Sequence, residues 1–277
     1  MKIGIFPHPL REEAQNLGIK ILEYSKTKGV NAVLWSNWPE NVLEDLDIGI
    51  VIGGDGTLLR ASKILSPIGV PVLGIRVGGL GFLFDLEPED YKEAVDKIIE
   101  NNYFIETRGT LDVTVENNKV LKGRFLALND AVVSKGTFAR MLEITLYVNE
   151  RLVAKYPADG IIISTPTGST AYSLSAGGPI VTPEVKCILA TPICPHSLFL
   201  RPLLLSSKDI VEIVVGKKHE EVMLTVDGQV GIPLDTEDRV RVNFSNIPWR
   251  LIRLAKNSNF FSTLREKLHW GEGIGDA

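Results

Sequence analysis

Val51 to Leu59 reads VIGGDGTLL, an apolar run that breaks into glycines around one carboxylate. Gly53, Gly54 and Gly56 let a ligand approach the backbone, and a helix starting at or near Thr57 offers N–H groups and a partial positive charge to a phosphate. Asp55 does not suit a phosphate by itself, because two anions repel. It fits if it accepts a proton from an attacking hydroxyl, or if Mg²⁺ lies between carboxylate and phosphate. The turn therefore suggests phosphoryl transfer to a hydroxyl. The competing reading is a tight strand-to-helix turn with Asp55 as its N-cap. No G-x-x-x-x-G-K-[ST] occurs, and no G-x-G-x-x-G follows the first strand. A P-loop NTPase and Rossmann-type dinucleotide binding are both excluded on that ground.

A second constellation lies at Asp159 to Val181, DGIIISTPTGSTAYSLSAGGPIV. Ser164, Thr165, Thr167, Ser169 and Thr170 crowd one turn after an apolar strand, with Tyr172 placed for stacking. Such short donors and acceptors suit the polar edges of a sugar or a base. The alternative is a hydroxyl-rich capped turn. In FLALNDAVV, Leu128 to Asp130 put two polar residues inside an apolar run. Buried polar groups are costly unless paired, so they either hold a ligand's ribose hydroxyls or mark a bulge.

These residues need elements to position them. Through about residue 102 the chain alternates: strand KIGIF, helix Leu10 to Lys28, strand VNAVLW, buried strand LDIGIVIGG, helix GTLLRASKIL, strand VPVLGI and helix EPEDYKEAVDKIIENN. That order predicts an α/β domain with a parallel sheet, and ligands of such sheets bind at the carboxyl edge of the strands. From residue 103 to 250 the runs are short and β-rich (LDVTVE, KVLKGRFLALNDAVVSK, LEITLYVN, RLVAKYP, DIVEIVVG, EVMLTVDG, DRVRVNF, WRLIRLA), interrupted by one helical stretch at about Ser169 to Ala176. They predict a sandwich or compact multi-sheet domain. Residues 251–277 form a tail whose NFFSTLREKLHW is an amphipathic helix, with the first domain as its candidate docking surface.

Composition bounds the function. At 277 residues the chain suits two domains, and 44% hydrophobic residues suffice for their cores. A net charge of −4 argues against nucleic acid as a partner. No apolar stretch is long enough for a bilayer or a signal peptide, so the expected location is the cytoplasm and no membrane partner is expected. Cys187 and Cys194 fit no C-x-x-C or zinc pattern and read as reduced, buried thiols. The histidines, His8, His196, His219 and His269, make no metal motif.

The motifs together resemble one family. G-G-D-G-T at Gly53 to Thr57, N-D at Asn129 and Asp130 (the family commonly has N-E), the whole of Asp159 to Pro179, and V-D-G-Q at Val226 to Gln229 are similar to the NAD kinases. T-P-T-G-S-T-A-Y is the specific part. G-G-D-G-T alone is shared with phosphofructokinases and diacylglycerol or sphingosine kinases. The resemblance implies an α/β N-terminal domain of the phosphofructokinase and diacylglycerol-kinase kind, a β-rich C-terminal domain, and a site in the crevice between them. It implies phosphorylation of the adenosine 2′-hydroxyl of NAD to give NADP, with ATP and Mg²⁺ (in some relatives polyphosphate), by a homodimer or homotetramer.

Residue by residue, the resemblance makes Asp55 the proton acceptor. Gly54, Gly56 and Thr57 lie beside the ligand, Arg60 reaches a phosphate one helical turn on, and Phe82 in GGLGFL packs against the nucleotide. Asn129 and Asp130 hold ribose or adenine. Thr170, Ala171, Tyr172, Ser173, Leu174 and Ser175 line the base and nicotinamide pockets, with Asp159 close by. Arg140 and Gln229 complete the set, and no protein metal ligand is expected. A lipid or sugar kinase with the same glycine turn, and a non-catalytic NAD(P) sensor, are the alternatives.

Overall fold

No residue of Ile48–Gly53 is exposed, and a strand buried on both faces needs a layer on each side. The computed structural model supplies them. It describes residues 1–38, 45–79, 81–84, 86–136, 140–216, 221–235, 237–254 and 260–269. The chain divides into two units, one of Met1–Thr107 with the chain from Trp249 onward, the other of Arg108–Pro248.

The first unit runs β1 (Lys2–Pro7), α1 (Glu12–Thr27), β2 (Asn31–Leu34), β3 (Ile48–Gly53), α2 (Asp55–Leu65), β4 (Val72–Arg76), α3 (Tyr91–Ile99) and β5 (Phe104–Arg108). The second supplies β6 (Leu111–Asn117), β7 (Val120–Ala127), β8 (Asp130–Lys135), β9 (Leu142–Val148), β10 (Arg151–Ala158), β11 (Gly160–Ser164) and α4 (Tyr172–Ser175). It continues with β12 (Cys187–Ile193), β13 (Leu203–Ser206), β14 (Ile210–Val215), β15 (Val222–Val226), β16 (Val230–Leu234) and β17 (Asp238–Phe244). The chain then returns to the first unit with β18 (Trp249–Arg253) and α5 (Phe260–Leu268).

The first unit is one sheet in the order β2-β1-β3-β4-β18-β5. Strands β1 to β4 and β18 pair in parallel. Ala14, Leu17 and Ile21 of α1 and Ala94, Val95 and Ile98 of α3 form one core with Ile3, Ile5, Ile50, Ile52, Leu73 and Ile75 of the sheet. Each buried Ile, Leu or Val among them contributes about 1.5–3 kcal/mol relative to exposure, so β3 delivers its glycine end from a rigid base.

WRLIRLA alternates like the β-rich runs, yet its strand β18 pairs with β4 through Leu251 and Val72, with Trp249 fully buried. FIETR, beyond the expected boundary at residue 102, is β5 of the same sheet.

The second unit has two sheets, β10-β9-β14-β17-β6-β7 and β13-β12-β11-β8-β15-β16. Alternate residues of both fill one core, among them Val113, Ile144, Ile213 and Val240 from one and Val133, Ile161, Ile163 and Leu224 from the other. Strand β11 is buried throughout because its outer face is also covered: Ile162 clusters with Val132 and Ile193, and Ala176 packs against them. The single apolar run from Lys119 to Lys135 proves to be two strands in different sheets, β7 and β8, broken at Leu128 and Asn129. Strands β12, β13 and β16 lie in stretches that carried no strand expectation. Both thiols are free, but only Cys187 is buried; Cys194 is exposed.

Candidate active site

Strands β1, β3 and β4 end level with one another, Pro7 opposite Ile52 and Gly53 opposite Arg76. Gly54, not Asp55, is the N-cap of α2, with extended dihedrals and no side-chain cap. Asp55 opens the helix and turns its carboxylate to the loop after β4. Oδ2 accepts the backbone N–H of Phe82 at 2.8 Å and Oδ1 that of Leu83 at 3.3 Å. Gly81 makes this approach possible: an added Cβ there would overlap Asp55 Oδ1. Arg253 of β18 braces the loop by donating to Leu83 O at 3.1 Å while pairing with Glu106. Gly81, Leu83 and Arg253 therefore place the carboxylate, and none was singled out from sequence. Thr57 is buried, its hydroxyl against the Gly53 backbone.

Gly54 and Gly56 are different. Among the described residues, nothing beyond the chain neighbours and the helix's own backbone lies within 4 Å of where a Cβ would sit on either. Packing does not demand them, and a helical glycine costs about 1 kcal/mol against alanine. Room for a ligand at the backbone explains what packing does not. Gly56→Ala is thus expected to fold with unchanged or slightly raised Tm while kcat/KM falls at least about tenfold, as follows when added bulk displaces a bound reactant. Calorimetry and steady-state kinetics on one preparation check both halves.

The same sheet edge is electropositive. The Arg60 guanidinium lies 5.1 Å from the Trp38 ring, and Trp38 Nε1 donates to Pro7 O at 2.7 Å. Arg11 Nη1 donates to Val77 O at 2.6 Å. Burial, then the Arg11 and Arg60 charges, push the His8 imidazole below its ordinary range. Phe82 is half-buried, and Lys267 of α5 sits over its ring.

In the second unit three segments converge. The Asp227 carboxylate accepts the backbone N–H groups of Leu128 at 3.1 Å, Asn129 at 2.8 Å and Asp130 at 3.2 Å. This is why the run breaks between β7 and β8: the amides that would have continued a ladder serve a side chain. Thr165 Oγ1 donates to Leu128 O at 2.6 Å and its N–H to Asn129 O at 2.9 Å. Gly168 closes the joint, since a Cβ there would strike the Asn129 backbone. The hydroxyl-rich loop thus packs directly on Asn129 and Asp130. In V-D-G-Q nothing in the sequence marks Asp227 for this role. Its positive φ of 51° places it in a turn, where a carboxylate so often serves backbone amides.

Asp130 is 5% exposed, and burial, then the Asp227 charge, push its carboxyl up to about 7. From pH 3.8 up to about 7 the native chain therefore keeps a proton that the unfolded chain has lost. Stability falls as pH rises through that window and levels off above it. Asp130→Asn removes this slope. The variant should gain on the wild type between pH 5 and pH 8, by on the order of 3 kcal/mol at most, read as the difference between their urea midpoints.

Ser173 is fully buried: its hydroxyl meets Thr191 Oγ1 at 2.9 Å and its carbonyl accepts the Gly178 N–H at 2.8 Å, so it braces the loop from within. Thr170 Oγ1 donates to Thr167 O at 3.3 Å. Tyr172 and Ser175 are exposed, and Ala171 and Leu174 partly so. Asp159 pairs with Lys135 Nζ at 2.8 Å. Arg140 and Gln229 are exposed.

A carboxylate at the glycine end of a buried parallel strand, on an electropositive edge, with a second β-rich unit, is the layout of a phosphotransferase. Comparison with known proteins narrows the class. The ATP-NAD kinase N-terminal domain matches residues 3–103 and the ATP-NAD kinase C-terminal domain residues 128–254. The NAD kinase of Moorella thermoacetica is 41% identical over 282 residues, 98% of this chain and 90% of that one. An NAD kinase from Archaeoglobus fulgidus, solved in complex with ATP, is 28% identical with a TM-score of 0.78, covering 96% of this chain and 99% of that one. Yeast NADH kinase complexed with NADH shares the fold at a TM-score of 0.88 and 24% identity, covering 100% of this chain and 90% of that one. The chain belongs to the ATP-NAD kinase family.

Proposed function

We propose a division of labour for the reaction that family membership assigns. The chain is a phosphotransferase that moves the γ-phosphoryl group of ATP to the adenosine 2′-hydroxyl of NAD, giving NADP. The 2′ oxygen forms the new bond to phosphorus, the bond between the γ-phosphorus and its bridging oxygen breaks, ADP leaves, and the hydroxyl proton passes to Asp55. The observation that carries this role is the carboxylate's fixation by the Phe82 and Leu83 amides, which hold it in one place at the start of α2. Gly54 and Gly56 leave the triphosphate room at the backbone, and Arg60 and Arg11 supply positive potential. Asn129 and Asp130 take hydroxyls of NAD. The loop from Thr170 to Ser175 takes its rings, Tyr172 by stacking.

Among the described residues no group of three or more His, Cys, Asp or Glu side chains converges. A Mg²⁺ ion carried on the triphosphate commonly takes one or two carboxylates plus phosphate oxygens and water. Asp55 is the carboxylate it would meet. When bound, Mg²⁺ supplies neutralisation of the phosphate charge.

Incubating the chain with ATP, Mg²⁺ and NAD and measuring NADP with an NADP-specific dehydrogenase tests the reading. No NADP from folded protein overturns it.

A homo-oligomer would cover Leu198 and Phe199, adjacent in the second unit and 86% and 92% exposed. Light scattering on a sizing column should give a dimer or larger, and a fully active monomer refutes this. Among the described residues no helix is long and apolar enough to cross a membrane. The two free thiols fit a reducing cytoplasm.

A further inference from the structure

Helix α5 brings a cation to the carboxylate loop. Lys267 Nζ lies 4.0 Å from the centroid of the Phe82 ring, and the N–H of that same Phe82 donates to Asp55. The ammonium is half-buried, and among the described residues no carboxylate pairs with it. Nearby Arg76, by contrast, is paired with Glu87. Burial pushes the Lys267 ammonium below the usual lysine range; the Asp55 charge opposes this and Arg76 adds to it. A partly desolvated cation resting on a ring face costs free energy unless an anion arrives. Asp55 acts on it through its charge, while its two oxygens each accept a backbone amide.

We propose that Lys267 is a phosphate-binding residue of the transfer site, its ammonium meeting the γ-phosphoryl oxygens of ATP as the hydroxyl attacks. The inference rests on the reading of Asp55 as proton acceptor. As the 2′ oxygen bonds to phosphorus and ADP departs, negative charge spreads over the three equatorial oxygens, and a preplaced cation stabilises that state more than the ground state. Phe82 holds the ammonium by its face, which leaves N–H donors on the side away from the ring to meet the ligand. The last helix would then be part of the catalytic machinery, and Phe82 its support as well as a surface for the nucleotide.

The competing role is a staple that docks α5 on Phe82. Kinetics on full-length Lys267→Met and Lys267→Arg, with Asp55→Asn as reference and ATP and NAD varied separately, distinguish the two. We expect Lys267→Met to lower kcat/KM for ATP about 10²-fold, with KM for NAD within about twofold and Tm nearly unchanged. Lys267→Arg should recover about tenfold of the loss, because it restores a cation. Should the Met variant be insoluble, Lys267→Gln is read in the same way. A loss below about threefold overturns the proposal, as does an equal loss for both substrates that Arg does not relieve. If Asp55→Asn is inactive and Lys267→Met normal, only this inference fails. If Asp55→Asn is itself normal, the reading beneath it fails.

Discussion

Asp55→Asn is expected to lower kcat about 10²–10⁴-fold while KM for NAD changes less than about threefold, the usual scale for removing a general base. The substitution keeps the shape and removes the capacity to take a proton. It also has a structural cost that must be separated from the chemical one. Both carboxylate oxygens accept amides, from Phe82 and Leu83, and an asparagine can accept only through its oxygen. Turning its NH₂ to the other amide leaves one donor without a partner, worth about 1–3 kcal/mol. That part appears in the urea midpoint. If the loss in kcat exceeded what loosening of the loop explains, Gly81→Ala would give the comparison. Its Cβ overlaps Asp55 Oδ1 and so displaces the carboxylate without removing it. Turnover close to the wild type in Asp55→Asn takes the residue out of the proton-accepting role. Asp55→Glu is not a rescue, because Gly81 already touches the aspartate and leaves no space for another methylene.

The local signals were legible where chemistry is local. An unbroken apolar run predicts a strand covered on both faces, and Ile48–Gly53 is one. The glycine pattern predicts where it stops, and α2 begins at Asp55. T-P-T-G-S-T predicts a hydroxyl-rich turn, and Thr165 and Ser169 spend their hydroxyls on the backbone of Leu128, Pro166 and Val181. What was not legible is pairing across long distances in the chain. WRLIRLA has the alternation of a sandwich strand, and nothing in it names the sheet it joins. Lys267 reads as one more charge on an amphipathic helix until Phe82 is found beneath it. Cys194, expected inside, lies just past β12 with a φ of 44° and is exposed; the run CILATPI ends one residue too early to cover it.

Asp227 is the clearest residue of that second kind, and it carries the largest expected effect on stability. The side chain belongs to a residue 7% exposed and accepts three backbone N–H groups. Asp227→Ala leaves those donors in a place where water has little access, at about 1–3 kcal/mol each. Relief of its repulsion with Asp130 offsets part of this. The net loss should be about 3–5 kcal/mol in urea unfolding, the scale of breaking a buried polar network. Asp227→Asn keeps an acceptor toward Asn129 and Asp130 and should lose about half as much. The two carboxyls are coupled, so Asp227→Ala should cost more in an Asp130→Asn background, where no repulsion remains to be relieved. NAD affinity should fall in step, because Asn129 and Asp130 take their position from these bonds. A loss under about 1 kcal/mol for the alanine variant means that the loop moves aside and finds water or other acceptors. The break between β7 and β8 then owes its position to Thr165 and Gly168 rather than to the carboxylate.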